Sequence, residues 1–155
     1  MKYIIFDLDG TLADISLRRK KARKEDDTIN WSIFFDPRNI QLDSPIESVL
    51  FLYHSMILSA EIKVVIFSGR SDVTKQRTFD WFSEHDIVPP DIIEMRKDGD
   101  YTPDEILKKK WLYQLLEDEY ISKEDILFVV DDRNKVVKMW REEGLTCLQC
   151  AEGDF

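Results

Sequence analysis

The sequence predicts an α/β domain, a doubly wound parallel sheet with a small, mainly helical insertion after its first strand. Three observations carry that reading. Apolar runs rich in Ile, Val and Phe stand at 3–6, 62–67 and 126–130, and each stops abruptly on polar residues. Between them apolar residues recur at helical spacing, so the chain reads β, α, β, α, β, α, β, the order of parallel strands joined by crossover helices. The runs are nearly continuous in apolar character, as expected of strands covered by helices on both faces.

The first strand, Tyr3-Ile4-Ile5-Phe6, ends on Asp7-Leu8-Asp9-Gly10-Thr11, two carboxylates one residue apart and then a turn. Reacting groups of such sheets collect in the crevice beyond the carboxyl ends of the strands, which is where Asp7 and Asp9 fall. Residues 12–45 hold a basic run at 18–24, the acidic triplet Glu25-Asp26-Asp27 and the aromatic stretch Trp31-Ser32-Ile33-Phe34-Phe35, with no period of two, and read as a helical insertion. Asp43-Ser44-Pro45 looks like a helix start, and Ile46, Val49, Leu50, Tyr53 and Ile57 fall on one helical face leading into strand 62–67. A helix over 73–85 is broken by Pro89-Pro90, and Ile92–Met95 is a short strand. Thr102 as N-cap, Pro103 at the first helical position and Glu105 at the third predict a capping box, followed by a stripe of Leu107, Trp111 and Leu115. Strand 126–130, a helix over 134–143 stopped by Gly144, and a last strand at 145–148 complete the domain.

At 155 residues the chain is expected to form a single domain with one active site. The net charge of −9 argues against coating nucleic acid by general electrostatics, so a polyanionic partner needs a local basic patch. Cys147 and Cys150 lack the second pair or nearby histidines of a zinc site and read as structural cysteines in a reducing compartment. The N-terminal apolar run is too short for a signal core or membrane span, and the expected location is cytoplasmic.

Two further strand ends repeat the pattern of the first, Ser68-Gly69-Arg70 and Asp131-Asp132-Arg133. Either acid of the first motif alone would read as a turn former, but the whole string points to chemistry. A carboxylate such as Asp7 can attack phosphorus to give an acyl phosphate, provided the repulsion between the two anions is cancelled. Asp9 is placed to protonate the leaving alkoxide and later to activate water. A divalent cation, best Mg2+, suits the charge problem, and Asp132, with Asp131 beside it, is the candidate for its remaining ligand, although either can also cap the helix that follows. Ser68 and Lys108 are candidates to grip phosphoryl oxygens, with Asp104, four residues before Lys108, placed to hold it and so to select it from three consecutive lysines.

The four motifs resemble those of the haloacid dehalogenase (HAD) superfamily, whose similar members are magnesium-dependent phosphatases with a Rossmann-like sheet, an aspartyl-phosphate intermediate and a cap inserted over the site, here at about 12–45. The resemblance implies a carboxylate oxygen of Asp7 and a main-chain carbonyl of Asp9 as metal ligands. Longer strings, Phe6 through Ala13, Gly99-Asp100, residues 103–108, 131–141 and 152–155, are similar to the 3′-phosphatase half of bacteriophage polynucleotide kinase-phosphatase and its stand-alone bacterial relatives. That resemblance implies removal of a 3′-phosphate, or a 2′,3′-cyclic phosphate, from DNA or RNA ends. It carries phosphate or substrate contacts to Thr11, Ser68, Gly69, Arg70, Arg18 and Asp104. Arginine suits such a contact because its planar fork can hold two phosphate oxygens. The span 12–61 is longer than in the phage enzyme; its aromatics read first as cap core and second as platforms for bases, and its basic run as the local patch, unless the acidic triplet neutralises it. Thr102 stands where relatives often carry a basic residue. No G-x-x-x-x-G-K-[ST] string occurs, so a kinase or ligase is expected as a separate partner. The alternatives are a phosphatase of free nucleotides or other small esters and, more distantly, a phospho-accepting receiver module.

Overall fold

The structure, a computed structural model, describes residues 1–155. Its sheet has the order β5-β4-β1-β6-β7, formed by β1 (Lys2–Phe6), β4 (Ile62–Ser71), β5 (Ile92–Arg96), β6 (Ile126–Arg133) and β7 (Cys147–Gly153). All neighbouring strands are parallel. The alternation of side chains along a strand divides the core in two. Tyr3, Ile5, Val65 and Phe67 face α5 (Asp104–Asp118) and α6 (Asn134–Glu142), packing on Leu112, Leu115, Val136 and Trp140. Ile4, Phe6, Val64 and Ile66 face α3 (Glu47–Ile57) and α4 (Lys75–Glu84), packing on Leu50, Tyr53, Trp81 and Phe82. Each such apolar side chain contributes about 1.5–3 kcal/mol when fully buried, and β1 is buried on both faces because it lies in the middle of the sheet.

The insertion is less helical than its sequence indicates. It contains β2 (Ala13–Asp14), α1 (Ser16–Ala22), α2 (Trp31–Phe34), a 3-10 turn over Pro37–Leu42 and β3 (Ser44–Pro45). β2 and β3 pair antiparallel at its root, so both ends of the insertion are tied together where it leaves the sheet. Ser44-Pro45 is therefore strand rather than helix start, and α3 begins at Glu47 with Ile46 as its cap residue. Asp43 cannot cap because its carboxylate is taken by two arginines.

The capping box expected at Thr102 does not form. The Thr102 hydroxyl donates to Asp100 at 2.6 Å, and α5 starts at Asp104 with Pro103 as its cap residue and no side-chain cap bond. β4 and β6 run on through Ser71 and Arg133, beyond the apolar runs, because register shifts let the polar ends keep pairing with β5 and β7. β7 begins at Cys147 and reaches Gly153, later than predicted. No helix is long and apolar enough to cross a membrane.

Candidate active site

The carboxyl ends of β1, β4 and β6 converge with the first turns of α5. Lys108 is buried there, its Nζ 2.8 Å from Asp7 Oδ1 and 2.9 Å from Asp131 Oδ2. Burial alone would push the ammonium pKa down, but the carboxylates of Asp131 and Asp7 outweigh it and hold the pKa above its ordinary value. Burial drives the Asp7 pKa well up, with Lys108 opposing and Asp131 and Asp132 adding to the rise. Asp132 is raised to about 6, by burial first and then by Asp131. Gly10, at φ 82°, is required here: a Cβ would collide with the Asp132 carboxylate.

Asp104 does not do what its spacing predicts. Its carboxylate accepts from Arg96 Nη2 at 2.5 Å and Arg133 Nη1 at 3.0 Å, whereas Lys108 reaches past it to the strand ends. A Cβ on Gly69 would meet Asp104 Oδ1 at 2.6 Å, and Arg96 Nε donates to the Gly69 carbonyl at 3.0 Å, so Asp104 and Arg96 fix the turn after Ser68. Thr11 Oγ1 donates to Asp7 Oδ2 at 3.2 Å, and buried Ser68 accepts the Arg70 main-chain N–H at 3.2 Å.

Asp9 sits in a separate charge environment. Its Oδ1 accepts from Arg18 Nη2 at 2.9 Å and Arg70 Nε at 2.7 Å. Burial raises its pKa, and the two guanidinium groups overcome that and leave it lowered. Both arginines are fully buried and both also bond Asp43, which sequence reasoning missed because Asp43 before Ser-Pro looks like a helix cap. Arg18, which the resemblance marks for a phosphate or substrate contact, is fully buried, with its guanidinium 4.4 Å over the Phe34 ring. Arg96 lies in no pattern that marks a buried partner, and Arg133, which closes the Asp131-Asp132-Arg133 string, carries nothing in the sequence that points to Asp104.

The ligand oxygens of Asp7, Asp131 and Asp132 lie within 4.8 Å of one another. Three buried carboxylates face one ammonium, and Asp132 has no cationic partner of its own. This hard-oxygen donor set with excess negative charge fits a hard divalent cation.

Above these groups a cavity of about 640 Å³ opens, with Asp7, Asp9, Asp131 and Asp132 among its lining residues. The insertion gives it an aromatic wall. Phe34 is buried in the insertion, whereas Trp31 is half exposed and stacks on Phe35 with ring centroids 5.6 Å apart. Arg19, Lys97 and Lys135 also line the cavity, and the acidic triplet forms no ion pair with the basic run.

Comparison with known proteins places this geometry. The family model described as polynucleotide kinase PNKP phosphatase domain matches residues 1–155. A structure of the Pnkp1/Rnl/Hen1 RNA repair complex contains a chain 30% identical with a TM-score of 0.75; the match covers 99% of this chain and 43% of that one. The chain thus spans less than half the length of that relative. A haloacid dehalogenase-like hydrolase from Streptococcus pneumoniae is 16% identical with a TM-score of 0.68, covering 96% of this chain and 84% of its own, and shares the fold.

Proposed function

The chain belongs to the polynucleotide kinase PNKP phosphatase-domain family and is a HAD-type phosphatase, and we propose that it removes 3′-phosphate from polynucleotide ends through an aspartyl-phosphate on Asp7, with Mg2+ as cofactor. The observation that carries the chemistry is the contrast between two aspartates two residues apart. Asp7 belongs to the lysine and carboxylate cluster, and Asp9 to the arginines. Paired carboxylates whose surroundings differ in this way can take different roles.

Asp7, Asp131 and Asp132 would hold the ion, with the main-chain carbonyl of Asp9. When bound it neutralises charge between the nucleophile and the phosphoryl oxygens. Lys108 orients Asp7 and favours its ionised form, and with Ser68 and Thr11 it offers donors to those oxygens. Asp7 attacks phosphorus, the P–O bond to the sugar breaks, and its electron pair leaves as an alkoxide that takes a proton from Asp9. Water then attacks the acyl phosphate, giving its proton to Asp9 and releasing Asp7 and inorganic phosphate. The two guanidinium groups that lower the Asp9 pKa favour its carboxylate form, the form that takes the proton from water in the second step.

The substrate reading rests on the cavity. Its volume lies within the range of about 300–1,000 Å³ that accommodates small organic ligands, well beyond an orthophosphate, and its wall of Trp31 on Phe35 suits a nucleobase. The RNA repair complex in which the relative is found supports an end-healing role on RNA, beside a separate kinase or ligase. Inorganic phosphate release from a 3′-phosphorylated oligonucleotide, compared with nucleoside monophosphates, tests it. Turnover confined to the monomers would replace this reading with that of a nucleotide phosphatase.

A further inference from the structure

We propose that Asp43 is a positioning residue of the phosphatase reaction: by holding Arg18 and Arg70 it pins Oδ1 of Asp9 and leaves Oδ2 to exchange the proton. The inference rests on the reading of Asp9 as the proton donor and adds a part to it. Arg18 Nε donates to Asp43 Oδ1 at 3.0 Å and Arg18 Nη2 to Oδ2 at 2.9 Å, a bidentate fork that fixes the plane of the guanidinium. Arg70 Nη2 donates to the same Oδ2 at 2.7 Å. With Asp43 satisfied, Arg18 Nη2 and Arg70 Nε both turn to Oδ1 of Asp9, while no donor reaches Asp9 Oδ2. Asp9 lines the cavity and keeps 19% of its side chain exposed, against none for Asp43, Arg18 or Arg70.

The four charges balance, two of each sign, which is the condition for burying them. Without Asp43 one carboxylate would face two buried guanidinium groups, and the forks would be free to close over Oδ2. The cluster is also buttressed from α4. Trp81 Nε1 donates to the Asp43 carbonyl at 3.0 Å, and Arg70 Nη1 to Thr78 Oγ1 at 3.0 Å. Arg18 comes from the insertion, Arg70 from the end of β4 and Asp43 from the return of the insertion to the sheet, so the contact that seats the cap also aims the acid.

The leaving group separates aiming from mere support. A sugar alkoxide needs a proton to depart, whereas p-nitrophenolate does not. Single-turnover release, which isolates the step that forms the acyl phosphate, is measured for wild type and Asp43→Asn with a 3′-phosphorylated oligonucleotide, glycerol phosphate and p-nitrophenyl phosphate. The expected loss is about 100-fold greater for the alkyl esters than for the nitrophenyl ester, in the range of general-acid catalysis. Equal loss on all esters, or no loss on any, overturns the positioning role. If Asp43→Asn fails to melt cooperatively, Asp43→Glu, which keeps the charge and moves the carboxylate by one methylene, is put through the same comparison: selective loss on the alkyl esters supports the role, and equal or absent loss overturns it. Wild type that is inert to the oligonucleotide yet active on glycerol phosphate would refute the polynucleotide reading instead, and the glycerol ester would still decide for or against Asp43.

Discussion

Lys108 shows how much one side chain carries. Its ammonium is the only cation in contact with Asp7 and Asp131, and both contacts are buried. Lys108→Met therefore leaves buried carboxylates uncompensated, at a cost of about 3–5 kcal/mol. Thermal unfolding should show that loss without Mg2+ and a smaller one with it, because the ion would supply the missing charge. Asp7→Asn should abolish turnover, by about 10⁴-fold or more, and Asp9→Asn should lower it by about 10²–10⁴-fold with the fold intact. Full activity of Asp7→Asn in the presence of magnesium would exclude the covalent route. Lys108 illustrates a limit of local spacing: Asp104 four residues earlier singles out a lysine that is buried at the strand ends, but the partners that orient it are Asp7, just past β1, and Asp131 in β6.

At the scale of elements, the insertion is where the reading of the sequence and the structure diverge most. Trp31, Phe34 and Phe35 all line the cavity, and the buried Phe34 also packs under Arg18. Trp31→Ala should raise KM for an oligonucleotide about tenfold, the worth of one base stacked on an aromatic ring, and raise it much less for p-nitrophenyl phosphate. No change for either would make the cavity wall inert packing. The far side of the sheet offers a separate test. Glu143, after α6, accepts from Lys123 and Tyr113 and pairs with Lys109. Those contacts, led by Lys109 and then Lys123, lower its pKa to about 2. A carboxylate held below its unfolded value adds stability above that value and loses it as pH falls toward the folded pKa. Glu143→Gln should therefore cost about 1 kcal/mol at neutral pH, and the gap from wild type, followed by denaturant unfolding, should close between about pH 4.5 and pH 2. A gap that widened on acidification would contradict the ion-pair account.

For the whole molecule, three strand ends meet because β1 lies between β4 and β6, and that order concentrates negative charge in one place. Ion binding should then stabilise the fold. Millimolar Mg2+ should raise the melting temperature and EDTA reverse it, while Asp132→Asn should erase most of the shift; an unchanged melting temperature would remove the metal from the site. The order of residues along the chain was enough to locate the sheet and the strand ends where polar side chains gather. An apolar strand buried on both faces leaves a signature along the chain, and so does the polar break at its end, as at Phe6-Asp7, Phe67-Ser68 and Val130-Asp131. Which charges pair was settled in three dimensions alone. Asp43 meets Arg18 across 25 positions and Arg70 across 27, and Arg70 meets Asp9 across 61. A charge on the chain carries no mark of whether it will be buried. In water its partner matters little, whereas in the interior an unpaired charge costs several kcal/mol, so folding chooses the partners that local spacing leaves open.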